Sequence, residues 1–166
     1  PTTGYVSKVL VALGVGSPPL WLYDRSLALP SLIGINIWKN LGYCMIIYLA
    51  GLQGIPPELY EAATVDGAGF LQKHWKITLP QIAPVTFFVF VNNCIEAFKT
   101  FEQVQIMTQG GPVTATTTVV YQIYVRAFND FRMGYAAAMS VVLFVIIFAV
   151  TMLNFRMFRS SADGKD

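Results

Sequence analysis

Residues 134–155 read GYAAAMSVVLFVIIFAVTMLNF and contain no Asp, Glu, Lys, Arg or His. A run of this length matches the ~20 residues that a helix needs to cross a ~30 Å hydrocarbon core at ~1.5 Å rise per residue. No water bonds to peptide groups inside hydrocarbon, so the segment must be a helix whose N–H and C=O groups pair with one another. Two further segments reach the same length: 31–53, SLIGINIWKNLGYCMIIYLAGLQ, and 82–103, IAPVTFFVFVNNCIEAFKTFEQ. Both carry polar side chains. Of the 166 residues 55% are hydrophobic and only 12% are charged, against roughly 25% charged in soluble domains. Lipid is therefore the expected solvent for much of the surface. The fold class read from this is all-α: a polytopic membrane protein with three transmembrane helices at about 31–53, 82–103 and 134–155.

The rest of the composition excludes more than it selects. The net charge of +2 is small and scattered, so no nucleic-acid partner is expected. Cys44 and Cys94 lie inside apolar runs and read as packing residues. One histidine and two separated cysteines supply neither a metal site nor a nucleophile with its base, so no catalytic residue and no metal are expected. No G-x-x-x-x-G-K-[ST] motif is present, so ATP is not expected to bind through a P-loop in this chain. The sequence opens at Pro1 without an initiator Met or a signal-peptide pattern, and the expectation is a piece of a longer protein.

Val6, Val9, Leu10 and Leu13 stand at helical spacing before a GVGSPP breaker, and Trp21 and Tyr23 follow as aromatics of the kind found at membrane interfaces. After the second span, QGGP signals a turn. Val120, Ile123, Tyr124, Ala127, Phe128 and Phe131 then line one helical face, which suits an interfacial helix and a helix packed on the protein's own surface equally well. Three spans put the termini on opposite sides, but lysines and arginines divide too evenly for the positive-inside rule to name the cytoplasmic one.

Between the first two spans lies ELYEAATVDGAGFLQKHWKITLP, residues 58–80. Ile55-Pro56-Pro57 ends the first span, because proline lacks a backbone donor and restricts the residue before it. Glu58 to Thr64 is helix-prone, Asp66-Gly67 makes a turn, and Phe70 to Trp75 forms a second short helix that Leu79-Pro80 is expected to stop. By spacing alone this hairpin is either a contact surface outside the lipid or an ordinary helical loop.

Glu61-Ala62-Ala63, then Gly67, then Ile77-x-Leu79-Pro80 resembles the EAA signature of ABC-importer permeases. IPPELYEAATVDGAG, KITLP, MTQGGP and GYAAAMS, in that order, resemble the carbohydrate-importer branch, the maltose and glycerol-3-phosphate permease type. The resemblance implies the C-terminal half of a six-span permease core in the cell (inner or plasma) membrane. The hairpin at about 57–79 would be a cytoplasmic coupling helix docked on an ATP-hydrolysing subunit, with Glu61, Ala62, Ala63, Asp66 and Gly67 forming the docking turn. Small alanines allow close approach, and Gly67 permits a backbone geometry that a side chain would obstruct. The implied partners are an ATP-binding-cassette subunit, a second homologous permease subunit, an extracellular solute-binding protein near Gly110, Gly111 and Pro112, and a sugar or related solute. The family's Phe three positions before Ile77 is His74 here, and Trp75 is expected to make the aromatic contact instead.

An ionised side chain at mid-membrane costs roughly 2.5–3.5 kcal/mol on insertion scales, so Lys39, Glu96 and Lys99 should avoid lipid. Asn92, Asn93, Glu96, Lys99, Thr100 and Gln103 form one helical stripe on the second span, and Asn36, Lys39, Asn40 and Tyr43 do the same on the first. At ~1.5 Å per residue Lys39 and Glu96 lie at similar depths, so a shared polar cavity is expected in the outer half of the membrane. The resemblance implies sugar contacts at or near Lys39, Asn40, Tyr43, Asn93, Glu96, Ala97 and Thr100. The competing reading is structural: Glu96 pairs with Lys99 and the asparagines only join helices. A different functional class also fits, a secondary transporter driven by an ion gradient through Lys39 and Glu96.

Overall fold

The computed structural model describes residues 4–14, 16 and 19–163. Among the described residues seven α-helices follow in order: α1 (Tyr5–Ala12), α2 (Ala28–Gln53), α3 (Pro57–Val65), α4 (Phe70–Lys73), α5 (Leu79–Phe98), α6 (Val119–Tyr124) and α7 (Met133–Asp163). Wider π-helical turns occupy His74–Thr78, Val104–Thr108 and Val125–Asn129. There is no strand among the described residues. Ala28–Gln53, Phe70–Phe98 and Met133–Arg156 are long and apolar enough to cross a membrane. Half of the GVGSPP breaker, Val15, Ser17 and Pro18, lies outside the described residues, as does Lys165.

Helix boundaries follow local chemistry. Ahead of α2 the Asp24 carboxylate accepts from the Ser26 hydroxyl (2.5 Å) and the Ser26 N–H (2.7 Å), while the Asp24 carbonyl accepts from Ala28 N–H (2.9 Å). The Ser26 hydroxyl first, then its N–H, hold the Asp24 carboxyl below its ordinary pKa. This turn is thus favoured above the ordinary carboxylate range and lost only as pH falls below it. At the far end of α2, Gly54 N–H still reaches Ala50 O (3.1 Å) before Pro56 and Pro57 close the helix. Pro57 then starts α3 at a position where its missing donor costs nothing.

The expected stop at Leu79-Pro80 is not found. α4 runs through the His74–Thr78 π turn straight into α5, giving one continuous element over Phe70–Phe98. Leu79 N–H reaches back five residues to His74 O. The widened turn just before Pro80 absorbs both the missing donor and the bulk of the ring, which would otherwise break a regular helix. At the other end α5 closes at Phe98, short of Gln103. Thr100 leaves the helical path, and its carbonyl accepts the Thr118 hydroxyl (2.9 Å).

The chain divides into two compact units, residues up to Lys39 with Ala97–Phe148, and Asn40–Glu96 with residues from Ala149 onward. In the first, Ala28, Leu32, Val104, Ala127, Ala136 and Leu143 are buried. The stripe over 120–131, on α6 and the turn after it, splits there. Val120, Ile123 and Tyr124 are half-buried and Ala127 is buried, with Tyr124 packed on Phe101 at 5.1 Å between ring centres, so this part lies on the protein's own surface. Phe128 and Phe131 are exposed.

In the second unit α2 and α5 meet where Gly51 faces Val85, and Phe87 packs between Phe155 (5.0 Å, edge-on) and Phe158 (4.2 Å, stacked). Large apolar side chains such as Trp38, Ile46 and Phe144 are exposed along the spans. That arrangement is costly in water and natural in lipid.

A Cβ added to Gly51 would stand 2.8 Å from Val85 Cγ2. Gly51→Ala should therefore cost ~1–3 kcal/mol of overpacking. It is expected to lower the melting temperature of the full-length subunit in detergent, and adding Val85→Ala should restore most of the loss.

Candidate functional site

Three polar features interrupt the apolar spans. The first is the hairpin, in the second unit. Its arms are α3 and the α4–π turn, joined across Asp66–Gly69. Asp66, Gly67 and Ala68 N–H groups return to Ala62 O (3.0 Å), Thr64 O (3.0 Å) and Ala63 O (2.9 Å). Gly67 has φ +74°, and a Cβ there would meet nothing within 4 Å, so the demand for glycine comes from backbone conformation and not from crowding. Glu61, Ala62 and Asp66 are exposed and Ala63 is half-buried.

Two contacts pin the arms together. The Tyr60 hydroxyl lies 2.9 Å from the Thr78 hydroxyl, and Lys73 Nζ donates to Thr64 Oγ1 at 2.7 Å. Sequence reading missed this clasp, because its partners pair across the turn in no recognisable pattern. It also missed the apolar tip. Val65 is 89% exposed and Phe70 84%, with Leu71 and Trp75 also open. The signal was present, in apolar residues flanking DGAG within an otherwise polar stretch.

The second feature is the loop at Gly110, Gly111 and Pro112, in the first unit. Gln109, Gly110, Val113 and Thr114 all have positive φ (50°, 79°, 45°, 67°). Hydroxyls hold this conformation. Thr116, 1% exposed, donates to Gly111 O (2.7 Å) and lies 2.7 Å from the Thr108 hydroxyl, while Tyr121 OH donates to Gln109 O (2.7 Å). Gly110 is buried against Tyr121, whose Cε1 would stand 2.8 Å from an added Cβ. The knot presents Val113 outward, 76% exposed.

The third feature is the set of polar residues within the spans. Lys39, Ala97 and Thr100 belong to the first unit, and Asn40, Tyr43, Asn93 and Glu96 to the second. Asn40, Asn93 and Thr100 are half-buried, and Lys39, Tyr43, Glu96 and Ala97 are exposed. Asn93 Nδ2 donates to Val89 O (2.8 Å) on its own helix and to Cys44 Sγ (3.5 Å) on α2, so this asparagine does join helices. Because α5 ends at Phe98, Lys99, Thr100 and Gln103 do not continue the stripe of Asn92, Asn93 and Glu96 on one helix. Lys39 Nζ lies 3.1 Å from Glu102 Oε2, a carboxylate that the stripe did not include.

A cavity of about 700 Å³ in the first unit is lined by Tyr5, Trp21, Leu27, Pro30, Ile35 and Trp38, among others. Its walls are almost wholly apolar, and the Trp21 Nε1 beside it is buried without a hydrogen-bond partner. A carbohydrate needs many hydrogen-bonding groups, so this cavity does not suit one.

The model of the family described as binding-protein-dependent transport system inner membrane component matches residues 5–160. The chain belongs to that family. It is 40% identical over 157 residues to the sn-glycerol-3-phosphate transport system permease protein UgpA of Agrobacterium fabrum, covering 94% of this chain and 53% of that one. It is 44% identical over 122 residues to UgpA of Escherichia coli O157:H7, covering 73% and 41%. Among solved structures, a bacterial ABC transporter involved in the import of the acidic polysaccharide alginate superposes with a TM-score of 0.83 at 30% identity, covering 96% of this chain and 56% of that one. The same fit is found to that transporter in complex with an alginate pentasaccharide-bound periplasmic protein. The chain thus spans about half the length of the relatives it matches. It is an integral membrane chain of that family, helical with three segments of spanning length among the described residues.

The two glycines should respond differently to alanine. Gly67→Ala adds only left-handed strain, ~1 kcal/mol. Gly110→Ala adds the same strain and a collision with Tyr121, so it should lower the melting temperature of the full-length subunit clearly more than Gly67→Ala does.

Proposed function

We propose that this chain is the C-terminal part of the membrane-spanning subunit of a binding-protein-dependent ABC importer, which admits a sugar or related solute using ATP hydrolysed by a partner subunit. The observation that carries the reading is the hairpin. A polar, hydrogen-bonded turn bearing the Glu61-Ala62-Ala63…Gly67 pattern ends in apolar side chains that water does not favour. The reading assigns that tip to the ATP-binding-cassette subunit, with the alanines allowing close approach and Val65 and Phe70 supplying apolar contact. Names of relatives support a phosphorylated or carbohydrate solute.

A second homologous permease subunit and an extracellular solute-binding protein complete the assembly in this proposal. The binding protein would meet the Gly110–Gly111–Pro112 loop, whose hydroxyl knot supplies a rigid outward tip at Val113. The solute would pass Lys39, Asn40, Tyr43, Asn93, Glu96, Ala97 and Thr100. No bond is made or broken by this chain in the proposed cycle.

The test is capture of the ATPase in detergent by the full-length subunit. Wild type is expected to retain an ATP-binding protein, and Gly67→Asp, which forces a charged side chain into the turn, is expected to lose it. Equal capture by both, or by neither, would remove the docking assignment.

A further inference from the structure

We infer that Lys39 and Glu102 form a displaceable latch on the solute pathway, in which the Lys39 ammonium recognises an anionic oxygen group on the solute (carboxylate, phosphate or sulfate) and Glu102 holds that ammonium until such a group arrives. The inference rests on the pathway reading above and adds to it the charge class of the solute and the role of Glu102.

Position along α2 comes first. Lys39 lies ~16 Å from the Ala28 end and ~21 Å from the Gln53 end at ~1.5 Å per residue, well inside a segment of spanning length. A charge at that depth does not face lipid; it faces protein or water. Its own chain does not cover it, because the Lys39 and Glu102 side chains are 57% and 74% exposed although their charged atoms are 3.1 Å apart. A lysine inside one spanning segment, paired with a carboxylate just past the end of another and still open on its own chain, fits the wall of a water-filled path.

The strength of the pair suits a latch. Exposed ion pairs contribute little to stability, because water already solvates both charges. An incoming oxyanion therefore displaces Glu102 at small cost, and the ammonium keeps a charge-assisted hydrogen bond throughout the exchange. A neutral solute offers no such exchange and leaves the latch closed. No covalent change or proton transfer is involved.

The test uses the full-length subunit in the assembled transporter, in vesicles with the extracellular side outward, with Cys44 and Cys94 replaced by Ala. Glu102→Cys is reacted with an anionic reagent, sulfonatoethyl methanethiosulfonate, and a cationic one, trimethylammonioethyl methanethiosulfonate. Lys39, freed of its carboxylate, should draw the anionic reagent, raising the anionic-to-cationic rate ratio ~10-fold over the same cysteine in a Lys39→Gln background. Using the ratio cancels any change in the thiolate fraction.

Tyr43→Cys in the same background reports on the pathway independently. If Tyr43→Cys reacts and Glu102→Cys shows no charge preference that depends on Lys39, the latch is wrong and the pathway stands. If neither cysteine reacts from outside, the pathway reading fails and the latch with it.

Discussion

A peptide group in hydrocarbon has no water to bond to, and most of this molecule is arranged around that fact. Each segment long and apolar enough to cross is helical from end to end, including Phe70–Phe98, where Pro80 and Pro84 would interrupt a water-exposed helix. The π turn at His74–Thr78 keeps the element continuous by moving the hydrogen bond one residue further back. The same constraint explains why large side chains such as Phe144 and Trp38 lie on the outside. In lipid, packing between helices comes from close fit and not from burial of oily surface, as at Gly51 against Val85 and Asn93 against Cys44.

Where the backbone leaves the helix, something else must satisfy it. At Thr100 the substitute is the Thr118 hydroxyl, and around Gly110 it is Thr116, Thr117 and Tyr121. These bonds turn a stretch with several positive φ angles into a fixed shape. In the hairpin the arms are tied by Tyr60 to Thr78 and Lys73 to Thr64, leaving the turn itself outward. Both features hold a small exposed apolar tip on a polar base tied by hydrogen bonds.

Local pattern carried the reading of the sequence a long way. The uncharged run at 134–155 settles its own helix, and the other spans follow from length and apolarity. The hairpin is legible from Pro56-Pro57, Asp66-Gly67 and the EAA-like block. What escaped depends on distant partners. Just past the end of α5 at Phe98, the Thr100 carbonyl is bonded by Thr118, a residue far along the chain. On a helix continued to Gln103, Glu102 falls off the polar stripe, yet α5 ends at Phe98 and Glu102 is the carboxylate beside Lys39. Leu79-Pro80 read as a stop because a single sequence does not reveal a π turn. The apolar stripe over 120–131 is uniform at helical spacing, although Ala127, in the π turn, is covered and Phe128 and Phe131 are not.

The central claim is that solute movement through this subunit is driven by a partner's ATP hydrolysis. The most direct measurement is solute uptake by the complete transporter, with its binding protein, reconstituted in sealed vesicles and assayed with ATP, with and without vanadate. Uptake that requires ATP, stops with vanadate and ignores a collapsed ion gradient is the expected result. Uptake that survives vanadate but disappears with the ion gradient would contradict the claim and make an ion-coupled role for the charged residues of the spans the better account.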